Sequence, residues 1–235
     1  MVGTGKHTGG RLRGVAPDAT VYFQALYDER LGRMRLPNMY DLISDAYQRD
    51  VRIYSNSWGV QDSEAIYEYN SHNLDKFIWE HPDMLVLKSA GNFDEGSDNR
   101  YVTAPGMAKN VITVGASESP RGIDAQSDNP YEVAGFSRRG TVDGRIKPDV
   151  VAPGTWILSL SDGLMNVGKK FAGVYYTYLS GTSMANAFAT GAATILRQYF
   201  IDIKGVKPSA ALIKAAMIYG ANDMPKERRE AKGFG

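Results

Sequence analysis

The apolar run at residues 84–88 (Met-Leu-Val-Leu-Lys) constrains the fold more than any other part of the sequence. It ends at the small polar segment Ser89-Ala90-Gly91-Asn92. A short apolar run without alternation is typical of a strand that is buried on both faces. Such a strand needs cover above and below, so the run predicts a sheet that lies between layers of other elements.

Strand-like and helix-like segments alternate along the rest of the chain. β-branched and aromatic runs predict further strands at residues 20–27, 51–54 and 111–114. Apolar spacing predicts helices at residues 37–49, 63–79, 183–200 and 208–219. In the second helix the expected cap is Ser63, and the expected core positions are Ile66, Tyr69, Leu74, Phe77 and Ile78. This order predicts an α/β fold with a mostly parallel sheet between helices.

Length and composition exclude several classes of protein. The 235 residues suit one domain, and the net charge of +1 gives no global electrostatic field that would favour nucleic acid or an anionic membrane. No apolar run is long enough to span a membrane, and the first residues do not resemble a signal peptide. The chain has no cysteine, which excludes disulfides, thiolate metal sites and a cysteine nucleophile.

Residues 181–185 (Gly-Thr-Ser-Met-Ala) place a hydroxyl on a turn at the start of a helix of small residues. Gly181 permits a close approach, and Ser183 lies where unpaired backbone N–H groups favour a developing anion. The segment therefore predicts a nucleophilic serine, with an ordinary helix cap as the alternative. Such a serine needs a base, which the rest of the sequence does not obviously supply.

Residues 181–185, 89–92 and 56–59 together resemble the nucleophile, oxyanion and cleft motifs of the subtilisin-like serine proteases. Further family blocks follow the family's order at residues 13–17, 104–106, 111–116 and 147–154. The resemblance spans nearly the whole chain and is strongest to the bacterial alkaline-protease branch that carries a C-terminal β domain. It implies a three-layer subtilisin-like fold, with residues 1–235 forming a partial peptidase domain.

The resemblance also implies roles for particular residues. Ser183 would attack the scissile carbonyl, while the Asn92 amide and the Ser183 N–H hold the oxyanion. A left-handed turn residue is the alternative reading of Asn92. The substrate-binding residues would be Ser57, Trp58, Gly59, Ala90 and Gly91. The first three would pair with an extended peptide, although Trp58 is equally interpretable as structural. Gly59, Ala90 and Gly91 would leave space for a bulky side chain in the primary pocket.

The family's catalytic aspartate and histidine motifs are not found. The three histidines are His7, His72 and His81. Glycines around His7 oppose the expected helix, and His72 and His81 fit structural or solvated positions. The simplest interpretation is a peptidase domain truncated at its N-terminus, without its first strand and histidine helix. Bare apolar surface would then make the isolated chain self-associate. Asn186-Ala187 also departs from the family, where a proline is usual.

Two functions follow from these observations. The first is a serine endopeptidase in the full-length parent, secreted and acting on polypeptides, with this chain alone inactive until the missing N-terminal segment is present. The alternative is a non-catalytic homologue or fragment that binds peptides. No cofactor is required for the chemistry. Calcium is common in the family, and the candidate ligands are Asp94, Glu95, Asp98, Asp124, Asp128 and Asn129; a solvated acidic loop is the alternative.

Overall fold

The computed structural model describes residues 1–35, 38–59, 66–93, 100–120, 128–161, 169–171 and 174–234. The helices are α1 (Met39–Gln48), α2 (Tyr69–Glu80), α3 (Thr182–Asp202), α4 (Ala210–Tyr219) and α5 (Arg229–Lys232). The strands are β1 (Tyr27–Asp28), β2 (Arg33–Met34), β3 (Ile53–Asn56), β4 (Leu85–Ser89), β5 (Ile112–Ser117), β6 (Val150–Pro153), β7 (Ile157–Leu160), β8 (Lys169–Phe171) and β9 (Val174–Leu179).

A four-stranded parallel sheet of order β3-β4-β5-β6 forms the centre of the molecule. Every residue of β4 and β5 is buried, which confirms the prediction from the apolar run at 84–88. Helix α3 contacts all four strands, and α1 packs against α2. The fold is therefore mixed α/β with helices flanking a parallel sheet, as the sequence predicts.

Small residues allow α3 to lie close to the sheet. Ala185, Ala189 and Ala193 recur every four residues, so they share one face of the helix, and all are buried in the main core. A Cβ added at Gly191 would lie 2.6 Å from the Cβ of Val15, so this glycine lets the segment 14–16 pack against α3. The helix that begins at the predicted nucleophile is thus held on several sides.

Two predicted elements are wrong in part. Residues 20–26 form no strand, because the described residues give this segment no backbone ladder; Gln24 instead receives a hydrogen bond from Tyr54 and donates one to the carbonyl of Leu42. The predicted helix 63–79 begins only at Tyr69, with the Glu68 carboxylate accepting from the N–H groups of the first turn. Ser63 lies outside the described residues.

The predicted core of this helix is correct only in its second half. Leu74, Phe77 and Ile78 are buried in the main cluster. Ile66 and Tyr69 are exposed, at 47% and 65% of their surface, because they precede or begin the helix and do not face the sheet.

A second, antiparallel sheet of order β7-β9-β8 has no counterpart among the predicted strands. Its last strand ends at Leu179, three residues before α3 begins at Thr182. The N–H of Gly181 then donates to the carbonyl of Gly154 at 2.8 Å. This sheet therefore delivers the chain to the start of the serine helix. Within the described part of the chain, no helix has the length and apolar character needed to cross a membrane.

Candidate active site

The carboxyl ends of β3 and β4 place the cleft residues side by side. Asn56 is paired in register with Lys88, so the segments that follow each residue leave the sheet at the same edge. These segments are residues 57–59 and 89–92, and α3 begins beside them. The structure thus brings together Ser57, Asn92 and Ser183, which the sequence places far apart.

Ser183 is tied to Ser57 by two reciprocal hydrogen bonds. The Oγ of Ser183 donates to the carbonyl of Ser57 at 3.1 Å, and the Oγ of Ser57 donates to the carbonyl of Ser183 at 3.3 Å. The side chain is half-buried at the second position of α3. A backbone carbonyl orients the hydroxyl but does not remove its proton, so this arrangement supplies position without activation.

The Asn92 side chain is oriented by Thr182. Its Oδ1 accepts from the backbone N–H of Thr182 at 2.9 Å and from the Thr182 hydroxyl at 3.0 Å. With Oδ1 fixed in this way, Nδ2 is the end of the amide that faces Gly181. A Cβ added at Gly181 would lie 3.3 Å from that nitrogen, so glycine permits the close approach.

The first turn of α3 leaves one backbone donor beside Asn92. The N–H of Thr182 reaches Asn92, while the N–H groups of Met184 and Ala185 both reach the carbonyl of Gly181. Among the described residues the Ser183 N–H has no such acceptor. Together with the Asn92 amide it forms a pair of donors of the kind that stabilises an oxyanion. The predicted roles of both residues remain predictions, and the geometry is compatible with them.

Asn186 joins the cleft strand to the serine helix. Its Nδ2 lies 3.1 Å from the Ser55 Oγ, 3.3 Å from the Asn56 carbonyl and 3.2 Å from the Ser57 Oγ. The side chain is buried, and Thr190 adds a bond from its hydroxyl to Ser55 at 3.0 Å. In the sequence, Asn186 stands out only as a departure from the family pattern, because its structural role depends on a contact across about 130 residues.

The remaining predicted cleft residues are buried or half-buried and pack against polar groups. Ala90 is buried, Gly59 and Gly91 are half-buried, and Trp58 is a half-buried residue that packs against the main core. Trp58 is therefore structural at least in part. Lys88 and Thr103, which no sequence motif marks as site residues, face these glycines.

Among the described residues, none of the three histidines forms a hydrogen bond with Ser183. His7 is exposed in a 3-10 turn at Lys6–Thr8, and His72 is exposed on α2. His81 ends α2, where its ring stacks on Phe77 with centroids 4.1 Å apart and its Nδ1 lies 3.1 Å from the Phe77 carbonyl. None of them supplies the base in this structure.

The calcium ligands stay untested. Asp94, Glu95, Asp98 and Asp124 lie outside the described residues. Asn129 is occupied within its own turn, since its Oδ1 accepts from Tyr131 and its Nδ2 donates to Glu132. Over the described ranges, no group of three or more histidine, aspartate or glutamate side chains is placed to hold a metal ion.

The sequence matches the Peptidase S8 subtilase family over residues 1–235. Among curated proteins it is 26% identical to the serine protease/ABC transporter B family protein tagD of Dictyostelium discoideum, over 88% of this chain and 16% of that protein. It is 37% identical to the serine protease AprX of Bacillus subtilis, over 51% of this chain and 27% of AprX. The chain therefore spans well under a third of these relatives.

Solved structures share the fold. The self-cleaved protease domain of PatA matches with a TM-score of 0.64 and 19% identity, over 88% of this chain and 67% of that one. The prenylagaramide maturation protease PagA matches with a TM-score of 0.61 and 22% identity, over 86% of this chain and 65% of that one. At these identities the likeness establishes the architecture alone.

Proposed function

Since the chain belongs to the subtilase family of serine peptidases, we propose that it forms the nucleophile and oxyanion half of an endopeptidase site that cleaves polypeptides. The observation that carries the proposal is the convergence of the Ser183 hydroxyl, the Ser183 N–H and the Asn92 amide at one sheet edge. The substrate would lie along residues 57–59 and add a strand there, which reads its backbone rather than its sequence.

The chemistry assigns one task to each group. The Ser183 oxygen attacks the scissile carbonyl carbon, the peptide C–N bond breaks, and an acyl-enzyme forms that water later hydrolyses. The Asn92 amide and the Ser183 N–H donate to the oxyanion at each tetrahedral stage. The serine proton must pass to a base and then to the leaving amine. We infer that a segment outside these 235 residues supplies this base, because the histidines of this chain do not contact Ser183.

We further propose that the parent protein is secreted and that it needs no cofactor for the reaction. A bound calcium ion would be structural.

The competing function is peptide binding without cleavage. One observation favours it: among the described residues, the Ser183 hydroxyl donates to a backbone carbonyl and to no base.

Labelling with a serine-directed fluorophosphonate tests the proposal. In the full-length protein we expect rapid labelling and peptide cleavage, both lost in Ser183→Ala and retained in Ser44→Ala, a serine on α1 far from the site. Asn92→Ala should lower kcat by about a hundred- to a thousandfold, a range taken from subtilisin itself. A full-length protein that binds peptides yet neither labels nor cleaves them would support the peptide-binding function instead.

The isolated chain should label slowly or not at all. Rapid labelling of these 235 residues at Ser183 that disappears in His7→Ala would overturn the inferred external base and would make His7 the base.

A further inference from the structure

Lys88 is a buried cation without a counter-ion. It lies in β4 with 1% of its surface exposed. Across the described residues, the ion pairs of the structure do not include Lys88, so no carboxylate lies within 4.0 Å of its ammonium group. An unpaired charge in the interior is costly, and proteins rarely keep one without a use for it.

The hydrogen bonds of Lys88 leave part of its ammonium group available. Its Nζ donates to the carbonyl of Ser89 at 3.2 Å and to the Ser89 hydroxyl at 3.4 Å, both long contacts to the next residue in the chain. An ammonium group has three hydrogens. Among the described residues the third has no acceptor, so the site can take another oxygen.

The ammonium group points to the two glycines of the cleft. A Cβ added at Gly59 would lie 3.2 Å from Lys88 Nζ, 3.0 Å from Thr103 Oγ1 and 3.1 Å from the Ala104 carbonyl. A Cβ added at Gly91 would lie 2.8 Å from the same Thr103 hydroxyl. The Lys88 ammonium group and the Thr103 hydroxyl therefore lie directly against the backbone of these two glycines, with the Arg138 side chain also beside Gly91.

These two glycines lie next to the reacting groups. Gly59 follows Ser57, whose carbonyl holds the Ser183 hydroxyl, and Gly91 precedes Asn92. A peptide whose scissile carbonyl sits at Ser183 and Asn92 would direct the side chain of the residue that carries this carbonyl between the two glycines. The end of that side chain would meet Lys88 and Thr103.

We propose that Lys88, assisted by the Thr103 hydroxyl, is a specificity residue that selects an aspartate or glutamate immediately before the scissile bond. This inference rests on the proposed peptidase function and names its substrate class. It replaces the sequence-based expectation that the primary pocket accepts bulky side chains in general with a preference for acidic ones. A substrate carboxylate would supply the counter-ion that Lys88 lacks among the described residues. Because Lys88 is buried, this ion pair would form largely out of contact with water.

The lowered pKa of Lys88 is consistent with a buried amine that has no anion beside it. Burial lowers the pKa of Lys88 to about 7. An incoming carboxylate would favour the charged form, because opposite charges at close range raise the pKa of an amine. The competing interpretation is that Lys88 only secures the Ser89 carbonyl; it predicts no discrimination between charged and neutral peptides.

Equilibrium binding tests the inference without turnover. The probes are fluorescent tetrapeptide amides that differ only in the last residue, glutamate, glutamine or lysine, titrated into the full-length protein carrying Ser183→Ala. We expect the glutamate peptide to bind about tenfold or more tightly than the glutamine peptide. Lys88→Met and Lys88→Gln should each bring that ratio close to one, and Thr103→Val should reduce it by less. The matched control is Lys207→Met, an exposed lysine in the loop before α4, which should leave the ratio unchanged.

Each outcome separates this inference from the proposed function. Equal binding of the glutamate and glutamine peptides, no binding of either, or a preference that survives in a folded Lys88→Met protein overturns the role of Lys88. Cleavage of the same peptides by the protein with Ser183 intact tests the peptidase function on its own. Cleavage without preference defeats only the Lys88 role, and preference without cleavage defeats only the peptidase function.

Discussion

Two buried lysines lie on either side of β5 in the central sheet, and within the described residues only Lys147 is paired with a carboxylate. Lys147, just before β6, donates to Asp149 at 2.7 Å, to the Thr113 hydroxyl at 2.9 Å and to the Val111 carbonyl at 3.3 Å. Lys88, on β4, is paired in register with Thr113, and among the described residues its ammonium group bonds to Ser89 alone. The two cations are therefore separated by one strand, in similarly buried surroundings.

The ion pairs of Lys147 are centred on the Asp149 carboxylate. Lys214 adds a second cation at 2.9 Å, and the N–H of Thr113 donates to the same carboxylate at 2.7 Å. Burial alone would raise the pKa of Asp149, but the ammonium groups of Lys147 and Lys214 outweigh it and hold the pKa below its usual value. This sheet therefore does supply counter-ions to structural lysines. A lysine left without one, at the cleft, is better understood as a binding group.

The largest expected effect comes from removing the Asp149 carboxylate that pairs with Lys147 and Lys214. Asp149→Asn would leave Lys147 and Lys214 facing a neutral amide, and we expect the free energy of unfolding to fall by about 3–5 kcal/mol, the usual cost of breaking a buried ion pair. Urea denaturation measures this loss. Asp50→Asn is the matched control, because its side chain is 99% exposed and its pair with Arg52 should contribute under about 1 kcal/mol. Equal losses in the two variants would contradict the comparison.

Removing each lysine should have opposite effects on stability. Lys88→Met eliminates an uncompensated buried charge and fills a similar volume, so we expect a gain of about 2 kcal/mol in the free energy of unfolding at pH 7. Lys147→Met deprives Asp149 of its closest cation and should destabilise the protein. Thermal and urea unfolding of both variants would check the signs. A loss of stability in Lys88→Met would indicate that its bonds to Ser89 matter more than its missing counter-ion.

The smallest expected effect is the pH dependence of the difference in unfolding free energy between Lys88→Met and the unchanged protein. Burial lowers the pKa of Lys88 to about 7 in the folded protein, whereas the unfolded chain keeps its ordinary value of 10.5. Above pH 7 the unfolded chain binds more protons than the folded one at this residue, so stability rises with pH. The advantage of Lys88→Met should therefore shrink, by about 1 kcal/mol between pH 7 and pH 8. A difference between the two proteins that stays constant over this range would contradict a titrating buried amine.

The sequence predicts some features of this molecule because their signals are local. The run at 84–88 identifies β4 since a strand buried on both faces needs no information beyond its own residues. The motifs at 57–59, 89–92 and 181–185 place the candidate site because parallel strands end at a shared edge. The segment 20–26 has equally strong β propensity, yet it forms no strand without a neighbour to pair with.

Other features depend on contacts that the sequence does not reveal. Lys88 reads in the sequence as the polar end of an apolar strand, and its place at the cleft depends on Gly59, Gly91 and Thr103 meeting from different segments. The role of Asn186 depends likewise on contacts with residues 55–57. Both side chains lie at the candidate site, and neither belongs to a local sequence pattern that predicts this position.

The Asn186 amide has a mechanical consequence. Its Nδ2 lies within hydrogen-bond distance of three oxygens of residues 55–57, so it couples this segment to the first turns of α3, and a displacement of the segment would shift the Ser183 oxygen as well. Attack on a carbonyl tolerates misplacement of only about 1 Å before the rate falls steeply. In the proposed peptidase, Asn186 would therefore act together with the Ser57–Ser183 hydrogen bonds to hold the serine at a set distance from a peptide on residues 57–59. Loosening Asn186 would then cause misalignment rather than weaker binding.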